Sequence, residues 1–151
     1  MNFRNQRARN TIIEDVEVRL GGSTGCGKLT FDIRVYDRES DAVEQLIKRG
    51  LKDENGDYVG KLQARQLLNA NNGIGVYRNG FRIRPLGDPD FDWLKLNLQR
   101  VQNPSQKIGS NQVIGFVLIQ SEEHSGLIEK SARDGLRENQ AYNNLVDVTN
   151  K

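Results

Sequence analysis

From Lys28 to Tyr36 apolar and polar residues alternate, with Leu29, Phe31, Ile33 and Val35 on one side. Ile12 to Leu20 alternates less cleanly, Ile12, Val16 and Val18 interleaving with Ile13, Asp15 and Glu17. Both read as strands with one wet face, and glycine-rich Gly21 to Gly27 reads as the hairpin loop between them. The period changes after Ser40, where Val43, Leu46 and Ile47 fall on one stripe of a helix over Asp41 to Arg49. Ser40 is placed to cap it and Gly50 to stop it. Asp53 to Asp57 is a turn cluster, and a second helix is predicted over Lys61 to Leu68.

Gly73 to Tyr77 and Phe81 to Arg84 flank Asn79-Gly80, a pair that accepts positive φ at both positions of a two-residue hairpin. Pairing Arg78 with Phe81 sets Tyr77 opposite Arg82 and Val76 opposite Ile83. Val76 and Ile83 then point inward, while Tyr77, Arg82 and Arg84 share the other face. Gly87-Asp88-Pro89-Asp90 breaks the sheet, and Asn111 to Gln120 is the most apolar strand, placed centrally. A last helix, Glu138 to Val146, carries Tyr142, Leu145 and Val146 at helical spacing. The order predicts an α+β fold, a mixed sheet with helices on one face.

Composition narrows the function classes. The 151 residues are 36% hydrophobic and 28% charged, enough to bury one core. They divide into a flexible basic arm over residues 1–10, arginine-rich from Met1 to Arg9, and a single domain over 11–149. A formal charge of +2 makes no global field that demands nucleic acid. No apolar run reaches membrane-spanning length and no signal peptide opens the chain, so no membrane partner is expected. The single cysteine, Cys26, forms no internal disulfide, which fits a reducing, cytoplasmic compartment. A lone histidine, His124, excludes a two-histidine metal set.

Between the strand ending near Gln120 and the last helix lies a polar loop that runs into Ser131-Ala132-Arg133-Asp134-Gly135-Leu136. An arginine held there suits a phosphate or carboxylate, because its guanidinium is a fixed fork of donors. A solvated surface arginine is the alternative. Tyr77, Arg82 and Arg84 form an aromatic-basic face that suits DNA, RNA or another domain, or else packs under a loop with its arginine stems covering apolar surface. Asp88, Asp90 and Asp92 tempt a calcium reading. Counted from Asp88, however, Trp93 and Gln99 stand where a calcium loop needs its sixth-place glycine and twelfth-place glutamate. No metal is expected, and Trp93 reads as a core anchor. Gly22 to Lys28 matches the phosphate-loop pattern GxxxxGK, yet Leu29 stands where the Mg²⁺-ligating Ser or Thr belongs, and a strand follows where a helix is needed.

Four blocks carry a family resemblance: Gly75 to Pro85, Asp92-Trp93-Leu94, Arg100-Val101 with Asn111 to Gly115, and Ser131 to Leu136. The region that holds them, Asn72 to Leu145, is about half of the chain. The region Asn72 to Leu145 resembles the part of GHKL-type ATPases (the histidine kinase, gyrase B and heat-shock chaperone superfamily) that lies downstream of the nucleotide-binding domain. The resemblance implies a ribosomal protein S5-like fold and a transducer function, coupling ATP hydrolysis to conformational change. Ser131 to Leu136 looks like the chaperone loop whose arginine reaches the ATP γ-phosphate. Arg133 is the matching position, with Asp134 where the chaperone has Glu. A lysine touches the γ-phosphate in some relatives, which points to Lys107.

Asn71 to Gly75 mimics the DxGxG box of that family's nucleotide pocket, but Asn71 replaces the aspartate. No upstream helix carries the Glu and Asn that activate water and hold Mg²⁺. The resemblance therefore implies that ATP and Mg²⁺ belong to an N-terminal nucleotide-binding domain of the same protein, with a homodimer possible in the parent. This chain is then a piece of a larger ATPase, catalytic through Arg133 and inactive alone. The second expectation, from another class, is a stand-alone nucleic-acid-binding module using Tyr77, Arg82, Arg84 and the basic arm.

Overall fold

The structure is a computed structural model and describes residues 24–151. The strand expected over Ile12 to Leu20, the arm before it and the first half of the glycine-rich loop lie outside the described residues. The described chain is α+β, built on a mixed four-stranded sheet. The strands are β1 (Leu29–Val35), β2 (Gly73–Arg78), β3 (Phe81–Arg82) and β4 (Val113–Ile119), in the order β1-β4-β2-β3. The apolar run Val-Ile-Gly-Phe-Val-Leu-Ile makes β4 an interior strand, paired on both edges. It runs antiparallel to β1, from Val35↔Val113 to Leu29↔Ile119, and parallel to β2, from Gly73↔Ile114 to Arg78↔Ile119.

These registers sort the side chains into two faces. Ile74 and Val76 share one face with Val113, Val117 and Ile119, and Leu29, Phe31 and Ile33 of β1 join them in the main core. Helix α5 (Gln140–Thr149) adds Ala141 and Leu145 to this core. Its N-cap Asn139 accepts a hydrogen bond from the Tyr142 amide at 2.9 Å, which starts the helix later than the predicted Glu138. Trp93 is the anchor expected of it. It is buried, and its indole N–H donates to the Ile74 carbonyl at 2.8 Å. On the other face Tyr77 meets Phe116 edge to face, centroids 6.2 Å apart.

The Asn79-Gly80 hairpin has the predicted register, Tyr77↔Arg82 and Arg78↔Phe81, and Val76 and Ile83 are buried. Its second strand stops at Arg82 rather than Arg84, because the chain turns at Pro85 to Asp88. Helices α1 (Ser40–Lys48) and α2 (Lys61–Asn71) pack a separate small core of Val43, Val59 and Ala64. Ser40 is the first residue of α1, not its cap; Glu39 is the N-cap residue, and its amide is held by Asp37 at 2.9 Å. Gly50 ends the helix segment at φ +93° as expected. Two short helices were not predicted, α3 (Leu96–Gln102) and α4 (Glu122–Ser125). No helix among the described residues is long and apolar enough to cross a membrane.

Candidate functional site

β4 delivers the chain through Gln120 into α4, which ends at Gly126 with φ +67°. From there the backbone folds on itself. Glu129 bridges Leu136, the Lys130 amide donates to the Gly135 carbonyl at 2.9 Å, and the Arg137 amide donates to the Ile128 carbonyl at 2.8 Å. Leu127 and Leu136 are buried in the main core and pin the base of this small hairpin. Ser131 to Asp134 form its tip and are all exposed. Arg133 sits there at φ +56°, and its amide donates to the Lys130 carbonyl at 2.8 Å. A left-handed conformation costs a non-glycine residue roughly 1–2 kcal/mol, so the tight turn holds it against a local preference. The Arg133 guanidinium makes no hydrogen bond or ion pair among the described residues. An exposed fork of donors on a tethered tip is chemically suited to an anion arriving from outside the domain.

The base of the hairpin is tied to the sheet by Arg78, a residue that the sequence reading did not single out. Arg78 ends β2 on the same face as Val76 and is only 9% exposed, the one buried charged side chain among the described residues. Its Nε donates to the Gln120 carbonyl at 3.0 Å, and one terminal nitrogen donates to the Leu127 carbonyl. The other lies 2.9 Å from the Glu129 carboxylate and 3.5 Å from that of Glu122. Glu122 in turn accepts from the Glu129 amide at 2.9 Å. All three nitrogens of the fork are engaged. The signal for it was the alternation of β2, which gives Arg78 the inward parity of Ile74 and Val76.

Lys107 is exposed in the turn that follows α3, its amide donating to the Asn103 carbonyl at 3.1 Å. That turn precedes β4, whereas Arg133 follows it. The seven residues of β4 span roughly 20 Å, and the Lys107 turn leads into its first residue while the Arg133 hairpin follows its last. Near the Lys107 end, an open groove of about 380 Å³ is lined by Arg38, Arg100, Asn111 and Gln112, but also by Asp37 and Glu39.

Tyr77 pairs with Arg82 across the hairpin, and Arg82 and Arg84 share one carboxylate, Asp88. Asp88 lies 3.0 Å from the Arg82 guanidinium and 3.7 Å from that of Arg84. Arg82 is partly covered, and its Nε is buried without a partner.

The nucleotide-like motifs have structural uses. After Lys28 the chain enters β1, not a helix. Asn71 donates its amide to the Leu67 carbonyl at 2.8 Å, and Asn72 donates to Asn69 at 2.8 Å, both within the end of α2. Gly73 and Gly87 let two backbones touch. A Cβ on Gly73 would lie 2.6 Å from the Gly87 carbonyl oxygen, and one on Gly87 would lie 2.3 Å from that of Ile74. Asp92 caps α3, accepting from the Leu96 and Asn97 amides at 3.0 and 2.8 Å. Asp88 lies on the arginines, so two of the three aspartates are engaged within the domain. His124 is exposed and hydrogen-bonds Ser121 Oγ at 2.8 Å. Cys26 is buried, and burial pushes its thiol pKa up, away from the reactive thiolate.

No protein-family model, no curated protein and no solved structure matches this chain.

Proposed function

We propose that this chain is the transducer domain of a GHKL-type ATPase, S5-like in fold, and that Arg133 binds the γ-phosphate of ATP held by a nucleotide-binding domain of the same polypeptide. The observation that carries this reading is the exposed, unpartnered Arg133 guanidinium on a hairpin tip whose base is fixed in the core. Mg²⁺ and the nucleotide belong to the other domain. Here the glycine motifs are taken up by backbone packing and a strand start, which supports a chain that neither binds nor hydrolyses ATP alone.

In that assembly the γ-phosphate draws the Arg133 tip toward the nucleotide, and charge gathering on the phosphoryl oxygens strengthens the contact in the transition state. Loss of the phosphate releases the tip, and the domain moves relative to its neighbour. The test is steady-state turnover of the full-length polypeptide with Arg133 replaced by Ala or Lys. Alanine lowers turnover, and lysine restores only part of it, because it keeps the charge but not the planar fork. Equal turnover in all forms overturns the reading.

A further inference from the structure

We propose that Arg78 is the positioning residue of the Arg133 loop, holding the tip in one place through a buried guanidinium fork. This role rests on the phosphate reading of Arg133 for its purpose, but not for its geometry. Arg78 stands at the end of β2, where the register pairs it with Ile119 at the end of β4. From that point it reaches four successive parts of the chain that carries Arg133. These are the Gln120 carbonyl, the Glu122 carboxylate in α4, the Leu127 carbonyl and the Glu129 carboxylate at the hairpin base. Glu129 is itself the residue that bridges Leu136 across the hairpin, so the clamp acts four residues from Arg133 along the chain.

Chemistry favours a positioning role over a simple packing one. A buried cation is costly, and an apolar side chain at the inward end of β2 would fill the core as well or better. Arginine supplies what an apolar residue cannot, several directed bonds that fix both backbone and side chains of the following loop. The two glutamates that share its charge are partly exposed, with side-chain exposures of 49% and 37%. The clamp therefore sits at the boundary between core and hairpin, where it sets how rigidly the tip is carried. A guanidinium that must meet a phosphate at hydrogen-bond distance needs such a mount, because loose placement weakens transition-state contacts.

Two measurements test this. The first is hydrogen exchange of the Ile128–Arg137 amides in the chain carrying Arg78→Lys, which keeps the charge and loses the fork. Glu129→Ala serves as a second variant that leaves the buried residue in place. Exchange in the hairpin should quicken by roughly tenfold or more in Arg78→Lys, the scale of losing a hydrogen bond to a charged group, while β4 amides stay protected. Unchanged hairpin exchange in both variants overturns the clamp.

The second is a double-mutant cycle on turnover in the full-length polypeptide. Arg78→Lys should lower kcat with Arg133 present and change it little in an Arg133→Ala background. Additive losses overturn the positioning role, because Arg78 then acts by another route. If the hairpin loosens but Arg133→Ala turns over like wild type, the phosphate reading fails while the clamp stands.

Discussion

Gly87→Ala tests whether the Asn71 to Gly75 box is taken up by backbone packing. Gly87 has φ +82°, and a Cβ there would stand 2.3 Å from the Ile74 carbonyl oxygen and 2.5 Å from the Gly75 nitrogen. Both neighbours are backbone atoms of β2, so neither can swing aside. The Ile74 carbonyl is also the acceptor for Trp93 Nε1, and pushing it away breaks that buried bond. Left-handed strain contributes about 1–2 kcal/mol, overpacking about 1–3, and the lost hydrogen bond about 1, a total of roughly 3–6 kcal/mol. Gly56→Ala is the control, because Gly56 has φ +85° with nothing within 4 Å of its Cβ position. It should lose only the strain, about 1–2 kcal/mol. Urea unfolding followed by the fluorescence of Trp93, the single tryptophan, measures both. A Gly87→Ala midpoint no lower than that of Gly56→Ala refutes the close-approach argument, and with it the structural reading of the Asn71 to Gly75 box.

The alkaline limb of stability should carry the mark of two tyrosines. Burial raises the pKa of Tyr36, against a smaller opposing effect of Arg38, and burial followed by the charge of Glu138 raises that of Tyr142. A phenol with a raised folded pKa contributes stability that is full below its unfolded value of about 10 and is lost as pH rises through the folded value. Tyr142→Phe should flatten the fall in urea midpoint above about pH 10; an unchanged slope contradicts this assignment. Nucleic-acid binding by this face should be weak, because Asp88 beside both arginines leaves it a net charge of only about +1. Tight oligonucleotide binding that falls steeply between about 50 and 200 mM salt and is lost in Arg82→Ala puts the nucleic-acid module ahead of the transducer.

The elements with strong local patterns were legible in the sequence. Alternation located β1 and β4 within two residues at each end, and Asn79-Gly80 fixed the hairpin register. The first helix was displaced by one residue and the second ended three residues early, the usual softness of helix ends. The short helices were not legible for identifiable reasons. α4 has four residues, too few to display a period. α3 opens after Lys95 in a left-handed conformation, and its cap, Asp92, looked like one of three spaced acids. The loop that carries Arg133 was readable from polarity and sequence order, but its closure into a hairpin through Glu129 and Leu136 was not. Its clamp was half readable. The inward parity of Arg78 was visible, but its partners lie 42 to 51 residues further on, and only tertiary folding joins them.

The central claim rests on one guanidinium, and the rate of ATP hydrolysis by the full-length polypeptide carrying Arg133→Ala tests it most directly. Losing one preorganised donor to a developing oxyanion costs roughly 2.7–4 kcal/mol, so kcat should fall about 100–1000-fold. KM for ATP should change far less, because the contact tightens chiefly as charge develops. A variant that keeps the wild-type kcat contradicts the claim that Arg133 acts on the transferred phosphate.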